Sequence, residues 1–342
     1  MFTVAQLIAN PCRAFPQDTW ETTRPAPRVV RLKERLLRTE RQVDVERARY
    51  ATESYRQTEG QPMPIRRAKM LLHLVRSMSI AIHPGELIVG NRSVLPRMGV
   101  IAPEGAVEWV DRELEDLPTR PQDRFNVEQD QIRELRQRVF PYWRGRALED
   151  VVAARIPADV QRMVEGKVFG LNQTDHAQGH ILPDVEGWLC LGIEGIRRKV
   201  AVARRAKGEK LVPQKEAFYQ AAEIALQAAQ AFIARYADLA GERVGRTHDA
   251  TRREELAHIA ESCAWLSLHP PRDFWEALQA TWFLFCLLQI ESNASSFSPG
   301  RLDQVLLKVA RKIGPCSTQV FTTPLCDSRS AAIGSPSPLI HG

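Results

Sequence analysis

Ala277-Leu-Gln-Ala-Thr-Trp-Phe-Leu-Phe-Cys-Leu-Leu-Gln-Ile290, running straight into Glu291-Ser-Asn-Ala-Ser-Ser-Phe-Ser-Pro-Gly-Arg-Leu-Asp-Gln304, is the stretch on which the fold turns. Its first half has no charged residue and is opened by Pro270-Pro-Arg-Asp273. That is a helix-start signal, since proline fits a first turn and aspartate can cap it. An apolar helix this short falls below the roughly 20 residues that cross a bilayer, so it is expected to lie in a core. Directly behind it stand Glu291, Asn293 and the hydroxyls of Ser292, Ser295, Ser296 and Ser298. Polar groups next to a core must find partners, and a bound small molecule is one such partner. The plainer reading is a Ser/Asn-rich helix C-cap and turn.

Upstream, the pattern is helical almost throughout. Apolar residues at helical spacing predict a helix from Arg28 through Val45 (Val29, Val30, Leu32, Leu36, Leu37, Val43, Val45) and another from about Pro64 to Met78. Further helices are expected at about 104–116, 127–139, 157–165, 185–206, 215–241 and 250–265. In the 215–241 segment Phe218, Ala222, Ala225, Ala229, Phe232, Ile233 and Tyr236 form one side. The period breaks at Ser79-Ile-Ala-Ile-His-Pro-Gly-Glu-Leu-Ile-Val-Gly-Asn91, which reads as two short extended segments around a Pro-Gly turn. The fold class is therefore mainly α with a few short strands.

A second polar cluster, Leu171-Asn-Gln-Thr-Asp-His-Ala-Gln-Gly-His-Ile-Leu-Pro-Asp184, precedes an apolar helix. A loop can aim such imidazoles, carboxylates and carboxamides into a cleft. The plainer reading is a solvated loop whose Asp184 caps the next helix. His176 and His180 are four residues apart, but Gly179 between them and the absence of an obvious third ligand argue against a metal. Glu86-Leu-Ile-Val-Gly-Asn-Arg92 holds nothing suited to catalysis and is no phosphate loop, so it reads as scaffold. No GxSxG or HExxH occurs, and His258 reads as a helix-face residue.

The net charge of +6 comes from mixed charges rather than a basic block, which gives no support to nucleic-acid binding. No membrane segment and no secretory leader are expected, and the six cysteines lack CxxC pairing; a cytoplasmic location follows as the default.

Taken in order, Arg66-Arg-Ala-Lys, Glu86-Leu-Ile-Val-Gly-Asn-Arg92, Pro103-Glu104, Pro118-Thr-Arg-Pro-Gln-Asp-Arg-Phe125, Phe140-Pro-Tyr-Trp143, Gly179-His180, Phe218-Tyr219, Arg235-Tyr-Ala, Pro270-Pro-Arg-Asp-Phe-Trp-Glu-Ala277 and Glu291-Ser-Asn with Gly300-Arg-Leu-Asp-Gln304 resemble the N-terminal part of the pyruvate formate-lyase family of glycyl radical enzymes. The resemblance runs from about residue 28 to 306. The chain most resembles the branch of formate acetyltransferase-like and dehydratase-like members. It implies an incomplete α/β barrel with helices around its strands; Pro11, Pro16, Pro25 and Pro27 without sustained periodicity make 1–27 an irregular lead-in, and after Leu306 the family's continuation gives way to a divergent Ser/Pro/Ala-rich tail over 307–342, expected to pack poorly. It also implies radical chemistry on a small organic substrate: a glycyl radical, installed by a separate radical S-adenosylmethionine activase, makes a cysteine thiyl that removes hydrogen. A homodimer is implied for the intact relative.

Carried over by residue, the resemblance makes His180 and Ser296 the first choices for substrate binding, with Asp175, Ser295 and Asn293 behind them. The family's Glu-Ser-Asn-Gly-His-Ser is Glu291-Ser-Asn-Ala-Ser-Ser296 here, so Ser295 stands where a histidine is usual, which weakens the case for glycerol as substrate. The family's Gly-Cys-x-Glu is absent, as is Arg-Val-x-Gly; Arg243-Val-Gly-Arg has the wrong spacing. The expectation is the front part of a larger enzyme, without activity alone. The alternatives are a helical binding or assembly module, or one half of a split enzyme.

Overall fold

A computed structural model describes residues 25–170, 181–208, 211–293 and 296–313. Among these the chain is mainly helical. In order run α1 (Pro27–Arg38), β1 (Gln42–Asp44), α2 (Glu46–Gln57), α3 (Met63–Ser77), β2 (Met98–Val100), α4 (Glu108–Glu113), α5 (Gln129–Glu134), α6 (Phe140–Trp143) and α7 (Leu148–Ala153). Then follow α8 (Ala158–Glu165), α9 (Val185–Arg205), α10 (Pro213–Val244), α11 (Ala250–Leu266), α12 (Phe274–Ser292) and α13 (Leu302–Ile313).

The long helix α10 is the spine. Its buried alanines, Ala217, Ala221, Ala228, Ala229 and Ala240, let α3 and α11 approach closely. Its buried Phe232 and Tyr236 meet Phe283 of α12 with ring centroids 5.8 and 5.6 Å apart. Phe218, expected on this apolar side, is instead 62% exposed and meets Tyr219 edge-on. It lies in the first two turns of α10, ahead of the core aromatics.

The expected helix from Arg28 to Val45 is two elements. Helix α1 stops at Arg38, and Val43 lies in β1, paired in parallel with β2 in the register Val43↔Gly99. The spacing from Leu36 to Val43 is seven residues, which fits both a helix and a chance match across a break. Helix α2 escapes periodicity because its buried face is largely polar: Arg47, Thr52 and Ser54 lie inside with Ala48, Ala51 and Tyr55. The expected 127–139 helix widens into a π turn over Leu135–Val139, where the Phe140 N–H reaches back to the Leu135 carbonyl. Pro141 follows at once and cannot continue a regular ladder.

The 79–91 segment forms no sheet. Its backbone is satisfied by side chains from the helices instead. The Gln279 carboxamide accepts from Val89 N–H (2.8 Å) and donates to Val89 C=O (2.7 Å), as a neighbouring strand would. Trp282 Nε1 donates to Gly90 C=O (2.8 Å), and the Asn91 N–H donates to the Tyr236 hydroxyl (3.1 Å). Gly90 has φ +126°, and a Cβ there would stand 3.2 Å from the rings of Trp282 and Phe283.

Helix α9 is broken at its eighth residue. Gly192 has φ 61° and ψ 178°, and the Glu194 N–H donates to Leu268 C=O (2.9 Å) rather than within the helix. The segment after α11 thus enters the helix ladder through its backbone. Among the described residues no helix is long and apolar enough to cross a membrane.

Candidate functional site

The C-terminal end of α12 is held by a guanidinium from α2. Asp273 caps the helix start, accepting from Glu276 N–H (2.8 Å). At the other end Arg47, only 4% exposed, donates Nε to Ile290 C=O (2.8 Å) and Nη2 to Glu291 C=O (2.9 Å). Its Nη2 also pairs with Glu104 (2.5 Å). Helix-end carbonyls lack intrahelical donors, and a cation complements the dipole there.

Asn293 then turns the chain with φ 45°, the left-handed conformation that asparagine tolerates better than most residues. Its Oδ1 accepts from Arg92 Nη1 (3.0 Å). Burial, and then the neighbouring charge of Arg47, lowers Arg92 to about 10, which leaves it a cation at neutral pH. An Asn293→Asp variant keeps both the turn and the acceptor and is expected to change stability by less than about 1 kcal/mol. Asn293→Leu, which loses both, is expected to cost about 3 kcal/mol by chemical denaturation. Equal costs for the two would show that neither the turn nor the Arg92 bond matters.

Beside this turn opens a cleft of about 560 Å³. Arg67, Glu104, Arg146 and Glu291 supply its charges, and Tyr55, Met63, Trp143, Leu148, Ile181 and Phe297 are among its other walls. Arg67 is paired with Glu291 (2.7 Å). At the rim the two polar clusters of the sequence meet: Ile181 and Phe297 form an isolated parallel bridge, and Ser298 N–H donates to Ile181 C=O (3.0 Å).

Of the expected site residues, Asn293 lines the cleft, and Ser296 directly precedes the bridged Phe297. His180, Asp175 and Ser295 lie outside the described residues, as do His176, the 1–24 part of the lead-in and residues 314–342 of the tail. Asp184 caps α9, accepting from Gly187 N–H (2.8 Å), so the plainer reading holds for that residue. His258 packs edge-on against Trp275, a helix-face role. Sequence reasoning passed over Arg47, Tyr55, Arg67, Glu104 and Arg146. Glu104 and Arg67 fall inside quoted motifs, but nothing local marks Tyr55 or Arg146.

Of the three described cysteines, none lines the cleft. Burial pushes the Cys263 and Cys286 thiols well up, so they are inert thiols in apolar surroundings. Among the described residues no group of three His, Cys, Asp or Glu side chains stands together as metal ligands would.

Comparison with known proteins agrees with this architecture. The pyruvate formate lyase-like family matches residues 19–312. An isethionate sulfite-lyase of Nitratidesulfovibrio vulgaris is 33% identical over 290 residues, covering 81% of this chain and 35% of that protein. The glycerol-bound B12-independent glycerol dehydratase of Clostridium butyricum superposes with a TM-score of 0.81 at 33% identity, over 84% of this chain and 37% of that one. A glycyl radical enzyme from Archaeoglobus fulgidus superposes with a TM-score of 0.80 at 32% identity, over 89% and 40%. The chain thus spans about a third of the length of the curated relatives it matches. On the family match and on these likenesses, the chain belongs to the pyruvate formate lyase-like family of glycyl radical enzymes.

Proposed function

We propose that this chain supplies the substrate-binding wall of a glycyl radical dehydratase or lyase acting on a small organic substrate. The observation that carries the reading is the Ile181–Phe297 bridge at the cleft rim, because it joins the two polar clusters. His180 and Ser296 directly precede the bridged residues in sequence, and they are our choices for hydrogen bonds to substrate. Asp175, Ser295 and Asn293 serve beside them, Asn293 through its amide N–H groups, since its oxygen is taken by Arg92. We place the reaction with dehydration and elimination rather than acetyl transfer to formate, because the relatives named above are a dehydratase and a sulfite-lyase.

The radical itself is not assigned to this chain. Gly-Cys-x-Glu and Arg-Val-x-Gly are absent from its 342 residues, and no described cysteine reaches the cleft. When present in the family, the glycyl radical and its thiol supply hydrogen abstraction, and an activase installs the radical. This chain's contribution is to bind, orient and shield. We take the β1/β2 pair as the part of an incomplete α/β barrel that this chain contributes.

Saturation-transfer NMR with glycerol as probe tests the wall: the unsubstituted chain should show binding, and a His180→Ala/Ser296→Ala double variant should lose it. Undiminished binding by the double variant would sink the assignment. Incubation with a radical S-adenosylmethionine activase under anaerobic conditions should give no glycyl radical doublet in electron paramagnetic resonance, and a doublet on this polypeptide would overturn the division of labour.

A further inference from the structure

Asn293 lines the cleft with a side chain that can turn either of two ends toward it, a carbonyl oxygen or an NH2 group. The two ends have nearly the same shape, so a partner on the outer side decides which faces inward. That partner is Arg92, whose Nη1 donates to Asn293 Oδ1 (3.0 Å). A guanidinium has donors only, so it can hold the oxygen and never the NH2 group. The Nδ2 group is left to the cleft, and it has no acceptor among the described residues.

Arg92 makes no ion pair among the described residues, so the bond to Asn293 is where its side chain is committed. Asp44 is near enough to act on its charge, but that carboxylate accepts from the Glu46 N–H (2.7 Å) and from the Ser93 hydroxyl instead. Arg92 is aimed from behind. Its own N–H donates to Asn91 Oδ1 (2.8 Å), Asn91 Nδ2 donates to Leu95 C=O (3.2 Å), and the Asn91 N–H donates to the Tyr236 hydroxyl (3.1 Å). A chain of bonds thus runs from the spine helix α10 to the cleft wall. Because Arg92 stays a cation at neutral pH, its bond to one end of the amide favours that orientation by about tenfold or more. The Glu86–Arg92 stretch, which reads as scaffold, ends in a residue that bears on the site.

We propose that Arg92 is a positioning residue: by holding Asn293 Oδ1 it makes the wall present an N–H donor at that point, where an acceptor atom of the bound molecule is received. This rests on the reading of the cleft as a substrate wall and adds the residue that sets one of its hydrogen bonds. Arg92 is not itself among the residues that line the cleft. Without it the carboxamide turns freely and binding must fix it anew, which costs about threefold in affinity, the scale of one immobilised side chain.

A glycerol titration followed by NMR, with methionine methyls and asparagine side-chain amides labelled, tests this. Met63 and Met70 line the cleft and report binding, the Asn293 Nδ2 protons report the bond, and Met98 in β2 reports the integrity of the fold. Glycerol should move all of these except Met98. Arg92→Met should weaken glycerol about threefold, while Arg92→Lys, which also only donates, should keep most of the affinity. In an Asn293→Gly background, where the turn is kept and the amide is gone, Arg92→Met should have no effect. If Arg92→Met displaces Met98, Asn293→Asp decides instead: it keeps an acceptor for Arg92, removes the donors, and should weaken glycerol about fivefold. Methyl shifts without a response of the Asn293 amide, or unchanged affinity in Arg92→Met or Asn293→Asp, overturn the positioning role and leave the wall standing. So does an Arg92→Lys variant as weak as Arg92→Met, or an equal loss in the Asn293→Gly background. No methyl shift with glycerol sinks the wall itself, and this inference with it.

Discussion

Gly192→Ala is expected to destabilise the chain by about 3–5 kcal/mol, from two costs that fall on the same atom. At φ 61° and ψ 178° the backbone is in a region that is essentially glycine-only. A Cβ built there would stand 2.4 Å from Pro270 N and 2.5 Å from the His269 carbonyl carbon. Both neighbours are backbone, so no side-chain rotation relieves the overlap. The Leu268 carbonyl that accepts from Glu194 is in the same segment, so the kink cannot straighten without losing that bond. Against a typical total of about 5–15 kcal/mol, this is a large share. Chemical denaturation measures it directly, and a loss below about 1 kcal/mol would show that α9 is not broken here.

Arg47→Met should cost about 2–4 kcal/mol, because it removes a buried cation and strands two helix-end carbonyls and the half-buried Glu104 carboxylate. Arg47 joins the Ile290 and Glu291 carbonyls to Glu104, three groups on two otherwise separate segments. Without it the helix end loses its donor, and Glu104, whose Oε2 is already buried without a partner among the described residues, loses the cation on Oε1 as well. The control is the double variant Arg47→Met/Glu104→Leu. Removing both members of a largely buried pair leaves no stranded charge, so the double variant should be more stable than Arg47→Met alone. If the two costs simply add, the pair is not coupled and Arg47 acts only through the helix carbonyls.

How much of this was legible in the sequence depended on whether a segment's partners were apolar and local. Helices α3 and α9 to α11 are readable from apolar residues at helical spacing, and α12 from an uncharged apolar run behind the start signal that ends in Asp273. Helix α2 is not, since Arg47, Thr52 and Ser54 are inside, and only a distant helix end and Glu104 explain Arg47. Helix α7 was also passed over; it is short and has no buried residue. The strands β1 and β2 are three residues each, and their paired residues, such as Val43 and Gly99, stand 56 positions apart, so the pairing leaves no local pattern.

The two polar clusters of the site were legible as clusters, from composition alone. Their joining at Ile181 and Phe297 was not, because the 181-to-297 pairing is set by α9 and α12 packing together. The cleft's charged residues were missed for a related reason: Tyr55, Arg67, Glu104 and Arg146 come from four separate segments, each ordinary when read alone.

The 79–91 segment is fastened at its main chain, and that has an evolutionary consequence. The helices grip Val89 and Gly90 carbonyls, the Val89 and Asn91 amides, and, through Arg252, the Glu86 and His83 carbonyls. Every residue type offers those carbonyls, and every type except proline offers the amides. Homologous chains should therefore drift freely in the identity of many residues along this span while Gln279, Trp282, Tyr236 and Arg252 stay put. Constraint would be recorded 145 to 190 positions downstream of the path it protects, the separation of Asn91 from Tyr236 and of Val89 from Gln279.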